Sequence, residues 1–280
     1  MEKHNILHKN QFGFHSSLST DDAIYNVTKK IIDNLDYGNK CLGIFLDIRK
    51  AFDTVNHFIL LEKLNKIGIN ENVLKLFTFL NDKTHVTNIN NVFSCFRSIN
   101  IGPILFLIYI NDLLRVNLEK FNCEIYSYAD DTVLIFAGKT WHETYLNANN
   151  SIDLIKKWFD SNLIVLNYSK STVIPFSLTF ARMKSLDSLL HVQIHTPNCF
   201  SINCNYLILN ESSEVKYLGI LINQHLRWDK HMLFLCKKLR KIIHYFVILR
   251  SYLPIDTLRS VYFALVQSIL QYGIIGWGCA

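Results

Sequence analysis

Proline is scarce in this chain, four residues in 280, and together with an aromatic share of 13% that excludes a disordered or proline-rich class. Cysteine occurs seven times (positions 41, 95, 123, 199, 204, 236 and 279), an odd number, and never as a Cys-x-x-Cys pair. Neither a zinc ligand set nor a disulfide framework is therefore expected, and a reducing compartment is the default. Residues 1–10 are polar and basic and lack an apolar core segment. No secretory signal is read there, and an intracellular location, nuclear or cytoplasmic, is expected rather than secretion. Long hydrophobic runs are missing too. Ile101–Ile110 is too short for a bilayer, and Val261–Trp277 is broken by Gln267, Gln271 and glycines. Both are read as buried helices, and no membrane partner is expected. Repeats, low-complexity tracts and linkers are absent.

Half of the residues are hydrophobic, enough for a large single domain or two small ones. The formal net charge of +6 favours a polyanionic partner without requiring one. Gln11-Phe12-Gly13-Phe14-His15 reads as a compact turn. Ser19-Thr20-Asp21-Asp22 then starts a helix with Ile24, Val27, Ile31 and Leu35 on its apolar face, ended by Gly38-Asn39. Cys41–Leu46 is a short continuous apolar run, the pattern of a strand buried on both faces, and it delivers Asp47 at its end. A helix with Phe58, Leu61, Leu64 and Ile67 follows, closed by Gly68. Another is expected over 71–81, then a polar, β-leaning stretch from Lys83 to Asn100, then an apolar helix from Gly102-Pro103 through Asp112. Beyond the centre come a helix over Trp141–Phe159, a strand-like run Leu163–Ser171 that presents Lys170, and a strand Val173–Phe176. Leu178–Asn205 carries no clear signal. A strand bent at Gly219 (Val215–Leu221), a basic helix from Trp228 to Tyr252 and a last helix from Pro254 to about Tyr272 complete the chain. Strands interrupted by helices of unequal length predict an α+β fold, its sheet carrying helices on one face, with the all-α tail as a separate lobe.

The centre is Tyr126-Ser127-Tyr128-Ala129-Asp130-Asp131-Thr132-Val133-Leu134-Ile135-Phe136, which reads as strand, tight turn, strand with two carboxylates at the tip. Adjacent anions raise each other's cost of ionisation, and a hard divalent cation removes that cost. Asp is equally at home in a solvated hairpin turn, so the doublet alone does not decide. Asp47, held at a strand end, is a candidate third ligand, although a charged residue there also serves as a plain cap.

Six blocks in register carry a resemblance. They are Gln11-Phe12-Gly13-Phe14; Phe45-Leu46-Asp47-Ile48-Arg49-Lys50-Ala51-Phe52-Asp53-Thr54-Val55-Asn56-His57; Gly102-Pro103-Ile104-Leu105-Phe106-Leu107-Ile108-Tyr109-Ile110-Asn111-Asp112-Leu113; Tyr128-Ala129-Asp130-Asp131; Leu166-Asn167-Tyr168-Ser169-Lys170; and Tyr217-Leu218-Gly219. In this order the chain resembles the reverse transcriptase domain of non-LTR retrotransposons, the jockey-like group in particular. The resemblance implies a right-hand polymerase fold with an antiparallel palm sheet. Residues 1–40 would be partial fingers, 41–222 the palm and 223–280 the start of a helical thumb. It implies RNA-directed DNA polymerisation from dNTPs onto a DNA primer along an RNA template, with two Mg²⁺ ions (or Mn²⁺) held by Asp47, Asp130 and Asp131. It further implies that Ile48 and Phe52 line the nucleotide site, Phe52 packing under the sugar. Lys170 would stand near the leaving pyrophosphate as general acid, and Tyr217-Leu218-Gly219 would grip the primer end. The basic helix over 230–241 would meet template–primer phosphates.

Three departures stand against full activity. Arg97-Ser98-Ile99-Asn100-Ile101 replaces the Gln-Gly that precedes Gly-Pro in the family, His15 replaces an arginine, and the endonuclease and C-terminal regions of a full-length element are expected to be missing. A partial or decayed copy with little polymerisation is the expectation. The alternative is a catalytically silent nucleic-acid-binding protein on the same scaffold. A metal-dependent phosphohydrolase would leave Phe52, Lys170 and Tyr217-Leu218-Gly219 without a role.

Overall fold

The computed structural model describes residues 6–15, 17–52, 54–69, 84–85, 88–89, 92–93, 97–98, 102–178, 190–195 and 206–278. The helix expected over 71–81, Asp53, and most of both the Lys83–Asn100 and Leu178–Asn205 stretches lie outside the described residues.

Helix α1 (Thr20–Asp36) begins on a capping box, in which Ser19 Oγ accepts from the Asp22 amide and the Asp22 carboxylate accepts from the Ser19 amide. It leads into β1 (Lys40–Leu46), and α2 (His57–Lys66) follows, capped by Asn56. Four two-residue strands come next: β2 (Thr84–His85) pairs with β5 (Arg97–Ser98), and β3 (Asn88–Ile89) with β4 (Val92–Phe93). Helix α3 (Pro103–Ile110) starts with proline in its first turn. The central hairpin is β6 (Cys123–Tyr128) and β7 (Asp131–Gly138), followed by α4 (Trp141–Ser161) and β8 (Thr172–Phe176). Then come β9 (Gln193–His195), β10 (Tyr206–Ile208), β11 (Asn210–Glu211) and a second hairpin, β12 (Glu214–Tyr217) and β13 (Ile220–Asn223). Helix α5 (Asp229–Leu249), helix α6 (Ile255–Tyr262), a π-helical segment (Phe263–Gln267), α7 (Ser268–Gln271) and α8 (Ile274–Trp277) close the chain.

The main sheet has the order β11-β8-β1-β7-β6 and is antiparallel apart from the β11–β8 edge. Alternation along β1 sends Leu42, Ile44 and Leu46 to one face and Cys41 and Phe45 to the other. The first face packs on α2, α3 and α4, through Leu60, Leu64, Phe106, Ile152 and Phe159 among others. The second packs on α1 (Ala23, Ile24, Val27, Ile31) and on the β12–β13 hairpin (Tyr217, Ile220, Ile222). The α+β class stands, but helices lie on both faces, not one. Strand β1 is apolar on both sides, and its second face needs the stripe of α1 as cover.

Two further readings are corrected. Leu163–Ser171 is not a strand: Leu163 has φ +54° and the segment's only ladder contact is the Ile48–Leu166 bridge. Its β-favouring residues form a loop over the end of β1. Val261–Trp277 is not a buried helix either, since Tyr262, Phe263, Leu265, Ile274 and Ile275 are all exposed. Its final turn does dock on the body. The Gly273 amide donates to Asp21 Oδ1 at 3.0 Å, and Trp277 packs against the second core cluster. Among the described residues no helix is long and apolar enough to cross a membrane.

Leu134 on β7 is fully buried, whereas Leu233 on α5 is 62% exposed. Leu134→Ala is expected to cost about 2–5 kcal/mol through lost burial and a residual cavity. Leu233→Ala is expected to stay within about 0.5 kcal/mol. Urea unfolding of the two variants checks the contrast.

Candidate active site

Strands β1 and β7 run antiparallel to a last pair, Leu46 opposite Thr132. Asp47 follows Leu46 and Asp131 precedes Thr132, so the same register carries the two aspartates to facing positions. The backbone of Asp47 is fixed on both sides: its amide donates to Ser171 Oγ at 3.2 Å, and its carbonyl accepts from the Asn167 amide at 2.8 Å. Ser171 is fully buried, and its hydroxyl also donates to Asn167 O at 2.9 Å. The loop that presents Lys170 is thus tied to the end of β1 by the residues either side of that lysine.

The hairpin turn is two residues long, Ala129 and Asp130, between the paired Tyr128 and Asp131. Ala129 adopts φ +57°, a left-handed conformation that costs an L-residue roughly 1–2 kcal/mol. It is held there from both ends. Its amide donates to Gln11 Oε1 at 3.1 Å, and its carbonyl accepts from Ser127 Oγ at 2.9 Å. Asp130 is thereby placed at the tip and Asp131 at the first position of β7.

Loss of solvent, then the negative charges of Asp130 and Asp47, push the Asp131 carboxyl up to about 6. The residue as a whole keeps an exposed surface, so these neighbours act at the mouth of a cleft, not inside a dry core. The cost that Asp130 and Asp47 add to ionising Asp131 is one a hard divalent ion relieves. The donor set fits such an ion. Among the described residues, however, no group of three or more His, Cys, Asp or Glu side chains is drawn into a ligand cluster.

Asp47, Asp131, Lys170 and Tyr217 line one small cleft of about 90 Å³, together with Lys216. That is far below the roughly 300 Å³ of a site that encloses a ligand. Asp130 does not line it. Ile48 is buried in the core, and Phe52 packs on Phe106 of α3 with ring centroids 4.8 Å apart, also away from the cleft. Tyr217 is buried against Phe45, and its hydroxyl finds no hydrogen-bond partner among the described residues. Burial, then the charge of Asp131, hold that phenol well above the usual tyrosine range. Leu218 and Gly219 form the turn beyond it, both at positive φ. The Tyr272 hydroxyl donates to Leu218 O at 2.6 Å, and a Cβ on Gly219 would meet the Tyr272 ring at 3.3 Å. The five cationic side chains Lys230, Lys237, Lys238, Arg240 and Lys241 of α5 are all exposed. Two larger cavities, about 480 Å³ each, open elsewhere: one around Gly138 and Lys139 at the far end of β7, the other around His8 and Arg115. Neither touches an aspartate of the site.

Two supports carried little signal in the sequence. Ser171 is one serine in a polar loop, and its bond to Asp47 spans 124 positions. Gln11 sits in a motif legible as a turn, with nothing to say that its partner is the aspartate hairpin.

A profile of the family described as "Reverse transcriptase (RNA-dependent DNA polymerase)" matches residues 1–222. The chain is 25% identical over 295 residues to the "Probable RNA-directed DNA polymerase from transposon BS" of Drosophila melanogaster, covering 100% of the chain and 31% of that relative. It is 22% identical over 287 residues to the "RNA-directed DNA polymerase from mobile element jockey" of the same species, covering 97% of the chain and 30% of the relative. The chain therefore spans about a third of the length of these relatives. Among solved structures, apo telomerase from Candida tropicalis superimposes with a TM-score of 0.49 at 14% identity, over 78% of this chain and 41% of that one.

The raised Asp131 value has a pH signature. A folded pKa above the unfolded one, about 3.9, favours the folded state fully below that value, and the gain is lost as pH rises through about 6. Asp131→Asn removes the penalty. It is expected to be more stable than the parent at pH 7.5, by about 1 kcal/mol once solvent screening is allowed for, and to lose that advantage by about pH 3.5. Urea unfolding at the two pH values checks the sign.

Proposed function

The chain belongs to the reverse transcriptase (RNA-dependent DNA polymerase) family, and from that premise we propose that it is the polymerase core of a jockey-like mobile element, acting on an RNA template, a DNA primer and dNTPs. In this reading residues 1–40 are partial fingers, 41–222 the palm and 223–280 the start of the thumb. Asp47, Asp130 and Asp131 hold two Mg²⁺ ions, with Mn²⁺ as a substitute. The observation that carries the reading is the facing of Asp47 and Asp131 at adjacent strand ends, with Asp130 on the turn beside them.

Bound divalent ions neutralise triphosphate charge and lower the pKa of the primer 3′ hydroxyl. Asp47 and Asp131 orient the reacting groups from the strand ends, where the backbone is fixed. Lys170, which lines the same cleft, serves in this reading as proton donor to the leaving pyrophosphate. Leu218 and Gly219 offer backbone to the primer end, glycine allowing close approach. Phe52 packs under the sugar of the incoming nucleotide and Ile48 lines the same site, both beside the small cleft and not inside it. The exposed cations of α5 face the phosphates of the template–primer.

The element-specific departures point to weak synthesis by this chain. The Gln-Gly pair is replaced before Gly102-Pro103, and His15 stands where the family has an arginine able to grip phosphate bidentately. A catalytically silent nucleic-acid binder is the second reading, favoured by those replacements.

Two measurements separate the readings. Fluorescent dNTP binding to the chain with a template–primer is expected to require Mg²⁺ and to fall at least about tenfold in Asp130→Asn. Retained nucleic-acid affinity with no Mg²⁺-dependent dNTP binding would favour the silent binder. Primer extension on RNA with Mg²⁺ and dNTPs is expected near background, and robust synthesis abolished by Asp130→Asn would contradict the expectation of weak activity.

A further inference from the structure

We propose that Gln11 is a positioning residue, the side chain that holds Ala129, the first residue of the Ala129–Asp130 turn, in the left-handed conformation from which the aspartates are presented. The proposal rests on the polymerase reading only for what those aspartates bind. Gln11 is fully buried, yet its amide does not serve the core around it. Oε1 accepts from the Ala129 amide at 3.1 Å and from the Gly13 amide at 3.0 Å, while Nε2 donates to Ser127 Oγ at 3.3 Å. Ser127 Oγ in turn donates to the Ala129 carbonyl. One side chain thus fixes the Ala129 peptide groups on both sides, directly at the N–H and through Ser127 at the C=O.

The backbone around Gln11 is built for the same task. The Ser127 amide donates to Asn10 O at 3.0 Å and the Phe12 amide donates to Ser127 O at 2.9 Å, which locks residues 10–12 beside the end of β6 as an added parallel bridge. Gly13 completes the approach. A Cβ there would lie 2.4 Å from the Ala129 nitrogen, so no other residue lets the two segments run this close. Alanine does not favour a left-handed turn on its own, and a loosened turn would swing Asp130 and tilt Asp131 away from Asp47. Supports of this kind around ligand groups matter nearly as much as the ligands themselves.

The test uses the intact chain with Gln11→Met, with Gly13→Ala and with the pair Gln11→Met/Ala129→Gly. Methionine keeps the volume of glutamine and removes the acceptor. Two readouts are taken: amide hydrogen exchange at residue 129, and Mn²⁺ titration followed by electron paramagnetic resonance. In Gln11→Met the residue-129 amide is expected to lose protection, and Mn²⁺ binding to weaken by about 10- to 100-fold. Adding Ala129→Gly, which lifts the steric penalty of the left-handed turn, is expected to restore Mn²⁺ binding to within about threefold of the parent while the amide stays unprotected. A merely structural role would give no such rescue, because glycine refills no core and adds chain entropy. Gly13→Ala, which forces the segments apart, is expected to show the same two losses and serves if Gln11→Met does not fold. Unchanged protection and affinity in Gln11→Met, or a double variant no better than the single, would overturn the proposal. A parent chain that binds no Mn²⁺ would overturn the divalent-ion reading instead. Amide exchange then decides Gln11 alone, retained protection counting against it and lost protection for it.

Discussion

Antiparallel pairing of β1 with β7 is the constraint from which the site follows. Seven successive pairs, Lys40 with Gly138 through Leu46 with Thr132, leave Asp47 and Asp131 no position but side by side at the strand ends. A slip of one residue would turn every side chain of β1 to the wrong face, exchanging Leu42, Ile44 and Leu46 for Cys41 and Phe45 across two different cores. Apolar burial on both faces therefore fixes the register, and the register fixes the charges. Loss of solvent, then repulsion from Asp130 and Asp47, raise Asp131, a cost of the kind that functional sites carry and the rest of a fold offsets.

Around that pairing, each neighbouring element holds one part of the cleft. The 163–171 loop crosses the end of β1 and ties Asp47 through Ser171 and Asn167 while setting Lys170 on the rim. The β12–β13 hairpin closes the second face and brings Tyr217 beneath Asp131. Tyr272 caps that hairpin's turn from the C-terminal segment, which itself docks on α1 through Gly273 and Asp21. Helix α5 begins against the same hairpin, where the Leu221 amide donates to His231 Nδ1 at 3.3 Å and Lys230 pairs with Glu214.

Much of this was legible because it is local. The continuous apolar run of β1 announced a strand buried on both faces, the Ser19–Asp22 capping box announced α1, and the paired aspartates between β-favouring residues announced the hairpin. The parts that misled are those where the same local chemistry has two outcomes. Leu163-Ile164-Val165-Leu166 has strand-forming residues, but a left-handed Leu163 and the pull of Ser171 toward Asp47 make it a loop. Val261–Trp277 is apolar enough for a core, yet hydropathy does not report whether another element covers it, and six of its large side chains are exposed. The helix on the second face of the sheet was readable as amphipathic, but not the face it would choose. Gln11 is the extreme case. Its hold on the aspartate hairpin lies in partners more than a hundred positions away.

The central claim is that Asp47, Asp130 and Asp131 share one electrostatic site. Carboxyl-¹³C NMR titration of Asp131 in the parent chain and in Asp47→Asn tests it most directly. A midpoint near 6 is expected in the parent, with a downward shift when the Asp47 charge is removed that stops above the ordinary Asp value, about 3.9, because burial and the Asp130 charge remain. A midpoint already near that ordinary value, or one that Asp47→Asn leaves unmoved, would contradict it.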